Sequence, residues 1–254
     1  MKVRLLGCGT SSGVPRIGND WGDCDPADPR NRRLRVSILV ELDGTRILVD
    51  TSPDLREQLL AADLRALDAV IWTHDHADHC HGIDDLRQVF HLNGKPIAGY
   101  ARAGTLATLH QRFRYIFEGA DGYPAIVDGE LLPDRFAVGP IGIRIVDQPH
   151  GTITSAGIRF EAGGHSISYS TDFNVLTDDM AKLFEGSDVW IIDALRRRPH
   201  PTHPHLDQAL GWIDAVRPAR AILTHMDNSM DFATLAAALP DGVEPGYDGL
   251  EVIL

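Results

Sequence analysis

A short polar segment that follows an apolar run carries four side chains able to bind cations. The segment reads His74-x-His76-x-Asp78-His79, and residues 69–72 form the apolar run, which predicts a buried strand. Neutral imidazole and carboxylate are the usual protein ligands of zinc, and more oxygen-rich sets suit manganese or iron. Because these ligands occupy one tight loop at a strand end, they can converge on cations. The chain is therefore predicted to fold around a metal site.

The rest of the chain alternates strand patterns with helix patterns. Asp43-Gly44 predicts a hairpin turn between two of the strands, and no repeat or linker divides the chain. Two β-rich halves, each followed by helices, predict one domain over residues 1–254. Its fold is an α/β fold of four layers, an αββα sandwich. The predicted strands are 3–6, 36–42, 46–49, 69–72, 141–146, 155–162, 166–170, 189–193 and 221–224. The predicted helices are 54–62, 83–92, 104–117, 179–184 and 206–216.

Charge and cysteine content limit the partners and the compartment. The 254 residues carry a net charge of −12, which opposes a broad nucleic-acid surface, so an anionic substrate needs a local positive site such as bound metal. Cys8, Cys24 and Cys80 form no disulfide pattern, which favours a reducing compartment. The N-terminal apolar run is too short for a signal peptide, and no apolar run reaches a membrane span. We therefore expect a cytoplasmic protein.

The segment from His74 to His79 resembles the signature of the metallo-β-lactamase superfamily, whose fold is the same αββα sandwich. In that superfamily a His, then an Asp or Cys, then a His follow later strands. The matching residues here are His150, Asp172 and His225. The resemblance implies two divalent cations, zinc or manganese, with Asp172 bridging them. It implies that one cation binds His74, His76 and His150, and that the other binds Asp78, His79 and His225.

Two features connect the resemblance with a substrate. Lactam-cleaving relatives typically carry Cys at the position of Asp172, whereas hydrolases of phosphodiesters, thioesters or lactones resemble the Asp pattern. The loop of residues 199–205 follows a predicted strand, and Thr202-His203 matches a histidine found there in PhnP-like cyclic phosphodiesterases and transfer-RNA 3′-processing ribonucleases. A histidine with an unperturbed pKa of about 6.5 can protonate a leaving alkoxide.

The PhnP-like resemblance implies hydrolysis of a small, nucleotide-like or cyclic phosphodiester by a hydroxide held between the two metals. Asp78 and His203 are the predicted catalytic residues, with His203 acting as general acid or as phosphate clamp. His200 and His205 are expected to be solvated. Asp50 is expected to orient a metal-binding histidine rather than to bind metal itself.

Other motifs receive a structural interpretation. The Gly7–Gly13 loop is not a dinucleotide fingerprint, because Pro15 follows and no helix pattern begins there. Either it holds a phosphate oxygen or it is a simple turn. The basic cluster Arg30, Arg32, Arg33 and Arg35 is expected to be a solvated charge run, and Cys24 alone predicts no structural zinc.

Three alternatives remain at the level of sequence. A transfer-RNA 3′-processing ribonuclease is opposed by the acidic net charge and by the lack of a basic arm within residues 92–139. A thioester or lactone hydrolase would share the metal ligands but has less need of His203. A metal-binding regulator without catalysis would have no need of His203. Residues 113–127 are rich in aromatic side chains. They are expected to form either a lid over the site or a homodimer contact, and the sequence does not distinguish the two.

Overall fold

The computed structural model describes residues 1–254, which form two seven-stranded sheets with helices on the outside. This is the predicted α/β architecture. The strands are β1 Lys2–Gly7, β2 Ser37–Leu42, β3 Thr45–Val49, β4 Ala69–Ile71, β5 Ile97–Ala101, β6 Val127–Leu131, β7 Arg135–Val138, β8 Ile141–His150, β9 Ile153–Ala162, β10 His165–Ser170, β11 Val189–Asp193, β12 Arg220–Thr224, β13 Val243–Pro245 and β14 Glu251–Ile253. The helices are α1 Leu55–Ala61, α2 Ala77–Cys80, α3 Leu86–Asn93, α4 Ala103–Arg112, α5 Arg114–Glu118, α6 Asp178–Phe184, α7 Leu206–Val216 and α8 Phe232–Ala238.

Each sheet combines antiparallel and parallel strands. The first sheet has the order β14-β1-β2-β3-β4-β5-β6, and its strands from β3 to β6 run parallel. The second has the order β13-β12-β11-β10-β9-β8-β7, and β10 to β13 run parallel. Parallel neighbours end at the same edge of a sheet, where loops carry function in open α/β folds. The carboxyl ends of β3, β4, β10, β11 and β12 are therefore where a site is expected.

Apolar side chains from the inner faces of both sheets form one core. Val3 and Val40 of the first sheet belong to the same buried cluster as Ile143, Ile167 and Val189 of the second. Alternation along the strands places these side chains on one face, since successive residues of a strand point to opposite sides. Burial of this apolar surface holds the two sheets together.

Helices cover the outer faces of the two sheets, and they pack there through stripes of apolar side chains. Leu206, Ala209, Ile213 and Val216 of α7 are buried, in agreement with the predicted stripe. Trp212 on the same helix stacks on Phe173, with ring centroids 4.9 Å apart. On the first sheet, a second buried cluster joins the sheet to helices α1, α3 and α4.

The structure departs from the sequence prediction in several elements. The predicted helix 104–117 is interrupted at Phe113 (φ −127°, ψ 40°), which separates α4 from α5. The predicted helix 83–92 starts with a 3₁₀ turn at Ile83–Asp85. Strands β5, β6, β7, β13 and β14 and helices α2 and α8 were not predicted, so Asp78 and His79 lie on a short helix rather than in the predicted loop. None of the helices combines the length and hydrophobicity that a membrane crossing requires.

The expectation of a solvated basic run is wrong for Arg33. Its guanidinium is buried and donates hydrogen bonds to the Met230 carbonyl at 2.6 Å and to the Asp227 carbonyl at 3.3 Å. A buried cation requires such partners because desolvation disfavours it. Arg33 thereby ties the N-terminal region to the loop that follows β12. Cys24 lies in the same network, with its sulfur 3.8 Å from the Arg33 guanidinium.

Candidate metal centre

Three residues of the site lie just after strands and share an unusual backbone conformation. Asp50 follows β3, Asp172 follows β10 and His225 follows β12, with φ of 63°, 56° and 59°. Asp, Asn and His adopt this left-handed region more readily than most residues, and such conformations cluster at functional sites. Each turn bends the chain immediately after its strand.

The first ligand group consists of His74, His76 and His150. Nε2 of His150 lies 3.3 Å from Nδ1 of His76. Oδ1 of Asp172 lies 3.5 Å from the same Nε2 and 3.7 Å from Nε2 of His74. The loop after β4 thus meets the end of β8 and the turn after β10, as the family order predicts.

The second ligand group consists of Asp78, His79 and His225. Oδ2 of Asp78 lies 3.5 Å from Nε2 of His79 and 3.5 Å from Nε2 of His225. Oδ2 of Asp172 lies 3.1 Å and 3.5 Å from the same two nitrogens. One oxygen of Asp172 therefore faces each ligand group, the arrangement that a bridging carboxylate requires.

These separations fit divalent cations. Metal–nitrogen bonds of about 2.0–2.1 Å in a tetrahedral site place neighbouring ligand atoms about 3.3–3.4 Å apart. The pairs given above lie 3.1 to 3.7 Å apart, and all ligand atoms of each group lie within 4.8 Å of one another. Nε2 of His74 and Nε2 of His79 are buried and have no hydrogen-bond partner within the chain. Buried polar atoms are normally satisfied, so these two nitrogens, one in each ligand group, fit the role of cation ligands.

Polar partners behind the histidines fix which nitrogen faces the site. Nδ1 of His79 lies 2.7 Å from Oδ2 of Asp50, as expected for a carboxylate that orients a ligand. The Thr73 hydroxyl donates to the same oxygen at 2.8 Å and lies 3.1 Å from Nδ1 of His74. Because Nδ1 of each ring is engaged, Nε2 of each is left to face the ligand cluster.

The turn that carries His79 is packed tightly against the loop after β3. The backbone N–H of Thr51 donates to the His79 carbonyl at 2.8 Å, and the N–H of Gly82 donates to the Thr51 carbonyl at 2.9 Å. A Cβ on Gly82 would lie 1.9 Å from the Ser52 carbonyl oxygen. Only glycine permits this approach, which holds His79 against Asp50.

The second sheet positions His150 and Asp172 in a similar way. Nδ1 of His150 lies 3.0 Å from the Thr202 carbonyl, so its Nε2 faces the cluster. The Ser155 hydroxyl donates to the Asp172 carbonyl at 2.7 Å, and buried Gln148 donates to the Thr171 carbonyl at 3.1 Å. These bonds hold the turn at Asp172. Gln148 and Ser155 were not predicted to belong to the site.

Electrostatics at the centre follow from burying carboxylates and imidazoles together. Burial opposes charge on His225, yet the carboxylates of Asp172 and Asp193 raise its pKa to about 9. Burial opposes ionisation of Asp172 too, yet the His225 and His79 imidazoles hold its pKa well below the usual value. Burial holds the pKa of His74 well below its usual value, so it is neutral and ready to bind a cation. The cluster therefore needs positive charge, from protons or from a metal that displaces them.

His203 lies beside Asp172, Asp193 and His225, and the ligand atoms of these four residues lie within 4.8 Å of one another. Nδ1 of His203 lies 2.8 Å from Oδ2 of Asp193, and its Nε2 lies 3.7 Å from Oδ1 of Asp172. Asp193, at the end of β11, also accepts the backbone N–H of Asp172 at 3.0 Å. Asp193 was predicted only as the last residue of a strand, and nothing in the sequence marked it as part of the site.

Three further histidines are placed by their contacts. His200 lies against His203, with ring centroids 5.1 Å apart, so it is not a freely solvated residue. His205 precedes α7 and is half-buried. His165 is exposed at the opposite end of β10 from Asp172. Among these histidines only His200 lies near the reacting region.

The N-terminal loop borders the second ligand group. Thr10 donates its N–H to the carbonyl of Met226, the residue after His225. The loop's Ser11 and Ser12 are exposed, and their backbone N–H groups make no hydrogen bond within the chain. The loop is a turn that retains two free donors, so phosphate binding there remains a prediction.

Comparison with known proteins identifies the family of this centre. The family described as β-lactamase superfamily domain matches residues 45–226, a span that contains all seven predicted ligands and His203. The chain belongs to the metallo-β-lactamase superfamily. A solved diphosphatase from the PhnP family has 33% identity and a TM-score of 0.91, with 100% of this chain and 97% of that chain covered. The chain is therefore PhnP-like and a metal-dependent hydrolase.

Other relatives share the fold but carry different names. An octanoyltransferase from Porphyromonas gingivalis is 33% identical over 261 residues, and the chain spans only 52% of it, about half of its length. Coenzyme PQQ synthesis protein B from Xanthomonas oryzae pv. oryzae is 25% identical over 313 residues, with 100% of both chains covered. Zinc-bound PqqB from Methylobacterium extorquens has 21% identity, a TM-score of 0.80 and 100% coverage of both chains, a likeness of fold alone.

Proposed function

We propose that this hydrolase cleaves a small phosphodiester, with two divalent cations held by the two ligand groups. The observation that carries the proposal is His203, a buried imidazole fixed by Asp193 at 2.8 Å and directed at the bridging carboxylate. A hydrolase whose leaving group needs no proton has little use for such a residue. An alkoxide leaving group does need one.

The ligand residues and the cations have separate tasks. When bound, the two cations lower the pKa of water and neutralise charge on the phosphoryl oxygens. Asp172 holds the two ligand groups at a fixed separation because one of its oxygens faces each group. Asp78, whose Oδ2 lies 3.5 Å from Nε2 of both His79 and His225, would complete the second ligand group and hold its cation for the reaction.

His203 would donate the proton that the departing oxygen needs. Asp193 engages Nδ1, so the proton available for transfer lies on Nε2, on the side of the cluster. A carboxylate behind an imidazole fixes its tautomer and its orientation, as in other catalytic pairs. The same imidazolium would hold a phosphate oxygen if it served as a clamp.

Similarity to the PhnP-family diphosphatase supports phosphorus chemistry, since that enzyme is the more similar of the two solved structures compared above. The net charge of −12 supports a small substrate rather than a long nucleic acid. We retain the thioester or lactone hydrolase as the competing function, because the seven ligands alone do not distinguish it. A cytoplasmic location and a homodimer remain predictions.

Replacing His203 with Ala tests the proposal. Turnover of an alkyl phosphodiester should fall by roughly 10²–10⁴, the usual contribution of a positioned acid. The fall should be much smaller for bis(p-nitrophenyl) phosphate, whose leaving group departs without a proton. Steady-state kinetics on both diesters, with elemental analysis of metal per chain, provide the measurement. Phosphomonoesters and β-lactams should not turn over.

His165→Ala is the matched control, since that histidine is exposed at the far end of β10. It should change neither diester rate. An equal loss on both diesters in His203→Ala would indicate a phosphate clamp instead of a proton donor. Loss of metal in that variant would make His203 a ligand. Efficient turnover of a thioester or lactone without any diester turnover would refute the proposed function.

A further inference from the structure

A groove of about 450 Å³ opens beside the first ligand group, and we name it the side groove. Its volume lies within the roughly 300–1,000 Å³ of small-molecule sites. It is lined by Asp75, His76, Ala77, His81, Arg112 and Phe113. Because His76 belongs to both the first ligand group and the groove wall, a substrate bound at the cations can extend into the groove.

One wall of the side groove is a guanidinium held in a fixed plane. Nη1 of Arg112 donates to the Asp75 carbonyl at 2.5 Å, and Nη2 lies 3.5 Å from Oδ2 of Asp75. The side chain nevertheless remains 43% exposed. A guanidinium fixed in this way presents a flat face on which an aromatic ring can stack.

Another wall of the side groove is aromatic. Phe113 packs edge-on against His81, with ring centroids 5.6 Å apart and an interplanar angle of 82°. The backbone leaves helical geometry at Phe113, between α4 and α5. The residue that interrupts the two helices is therefore one that lines the groove. Phe113 is only half-buried, so part of its ring is available to a ligand.

The charge of the side groove selects among ligands. Asp75 compensates the positive charge of Arg112 within the groove itself, which leaves no unpaired guanidinium for a second phosphate. Planar surfaces from Arg112, Phe113 and His81 instead match the flat face of a heterocycle. Stacking of nucleic-acid bases on aromatic and arginine side chains uses these same surfaces.

We propose that the side groove binds a nucleobase of the substrate, so that the preferred substrates are nucleotide diesters. This inference rests on the proposed phosphodiesterase function. The scissile phosphate lies at the two ligand groups, and the base of the nucleoside attached to that phosphate lies between Arg112 and Phe113. No bond forms or breaks in the groove, so its contribution is to affinity.

Two chromogenic diesters with the same leaving group test the inference. Thymidine 5′-(p-nitrophenyl phosphate) carries a base, and ethyl p-nitrophenyl phosphate does not. The thymidine diester should have the lower KM. Phe113→Leu and Arg112→Lys should raise KM for the thymidine diester about tenfold, the worth of one stacked base, with kcat nearly unchanged. Neither variant should alter KM for the ethyl diester, whose turnover also reports correct folding.

Arg114→Ala is the matched control, because Arg114 is a neighbouring arginine that is exposed and paired with Glu118 outside the groove. It should leave both KM values unchanged. Equal losses on both diesters in Phe113→Leu and Arg112→Lys would mean that these residues only support the metal loop. An unchanged KM of Arg112→Lys for the thymidine diester would mean that the charge of the side chain, and not a planar face, contributes to substrate binding. Either result overturns the inference.

Failure of the proposed function is distinguishable from failure of the groove. If neither diester is hydrolysed, calorimetric titration with thymidine 5′-monophosphate still tests the groove directly. Binding that is about tenfold weaker in Phe113→Leu than in the unmodified protein supports base stacking. Equal binding by the two proteins overturns it.

Discussion

The two ligand groups share Asp172 but differ in exposure to solvent. In the first ligand group His76 is exposed and borders the side groove, while His74 and His150 are buried. In the second group Asp78 is half-buried, and the side chains of His79 and His225 are only 0% and 2% exposed. The partners behind them differ as well. His150 of the first group rests on the neutral carbonyl of Thr202, and His79 of the second rests on the carboxylate of Asp50.

This difference assigns different tasks to the two ligand groups. A carboxylate behind a histidine raises its basicity and strengthens its bond to a metal. The second ligand group also contains Asp78, an anionic ligand that the first group lacks. We therefore expect the second group to bind its cation more tightly. The first group is open to the side groove, and we expect the substrate to make contact there.

The largest effect is expected for Asp172→Ala, which removes the residue that joins the two groups. Without it the six outer ligands lose their shared oxygen donor, and activity should fall by more than the roughly 10–100-fold typical of losing an outer partner. Elemental analysis should find fewer than two cations per chain. Asp179→Ala, on the surface of α6, should retain full metal content. Two cations and normal turnover in Asp172→Ala would remove the bridge from the mechanism.

Replacing one histidine from each group compares them directly. His76→Ala should keep about one cation per chain, because the second ligand group is intact and buried. His79→Ala should lose more metal and also thermal stability, since it leaves the Asp50 carboxylate buried without its partner. Metal content and melting temperature are measured on the two variants in parallel. Greater metal loss in His76→Ala would reverse the ranking of the groups.

A smaller effect is expected for Asp50→Asn, which keeps the shape of the residue but removes its charge. The affinity of the second ligand group for zinc should fall roughly 10–100-fold, while the first ligand group is unaffected. Competition with a zinc-binding indicator measures this change, and Asp63→Asn, an exposed turn residue, serves as control. Unchanged affinity would show that the carboxylate only positions the His79 ring.

Much of the centre was predictable because its ligands are local or follow strands. His74, His76, Asp78 and His79 lie in one short segment after an apolar run, so the sequence alone brings them together. His150, Asp172 and His225 were found through family order. The structure places all seven together, although their binding of metal remains a proposal.

The unpredicted features depend on contacts distant in sequence. Apolar spacing continues through Phe113, yet Arg112 hydrogen-bonds to the metal loop 37 residues away and the helix stops there. Arg33 appeared to belong to a solvated run because its carbonyl partners lie almost 200 residues later in the chain. Asp193 gave no signal of its own, since its importance arises from the loops of His203 and Asp172.

The left-handed turns at Asp50, Asp172 and His225 limit how this centre can change during evolution. A substitution at these positions must suit both its partner in the metal centre and a backbone with φ near 60°. Asp, Asn, His and Gly accept that backbone, whereas β-branched residues do not. Metal preference can therefore change only through the few residue types that fit this backbone, unless the conformation of the turns changes as well. The backbone, as much as the cation, restricts which descendants of this protein remain enzymes.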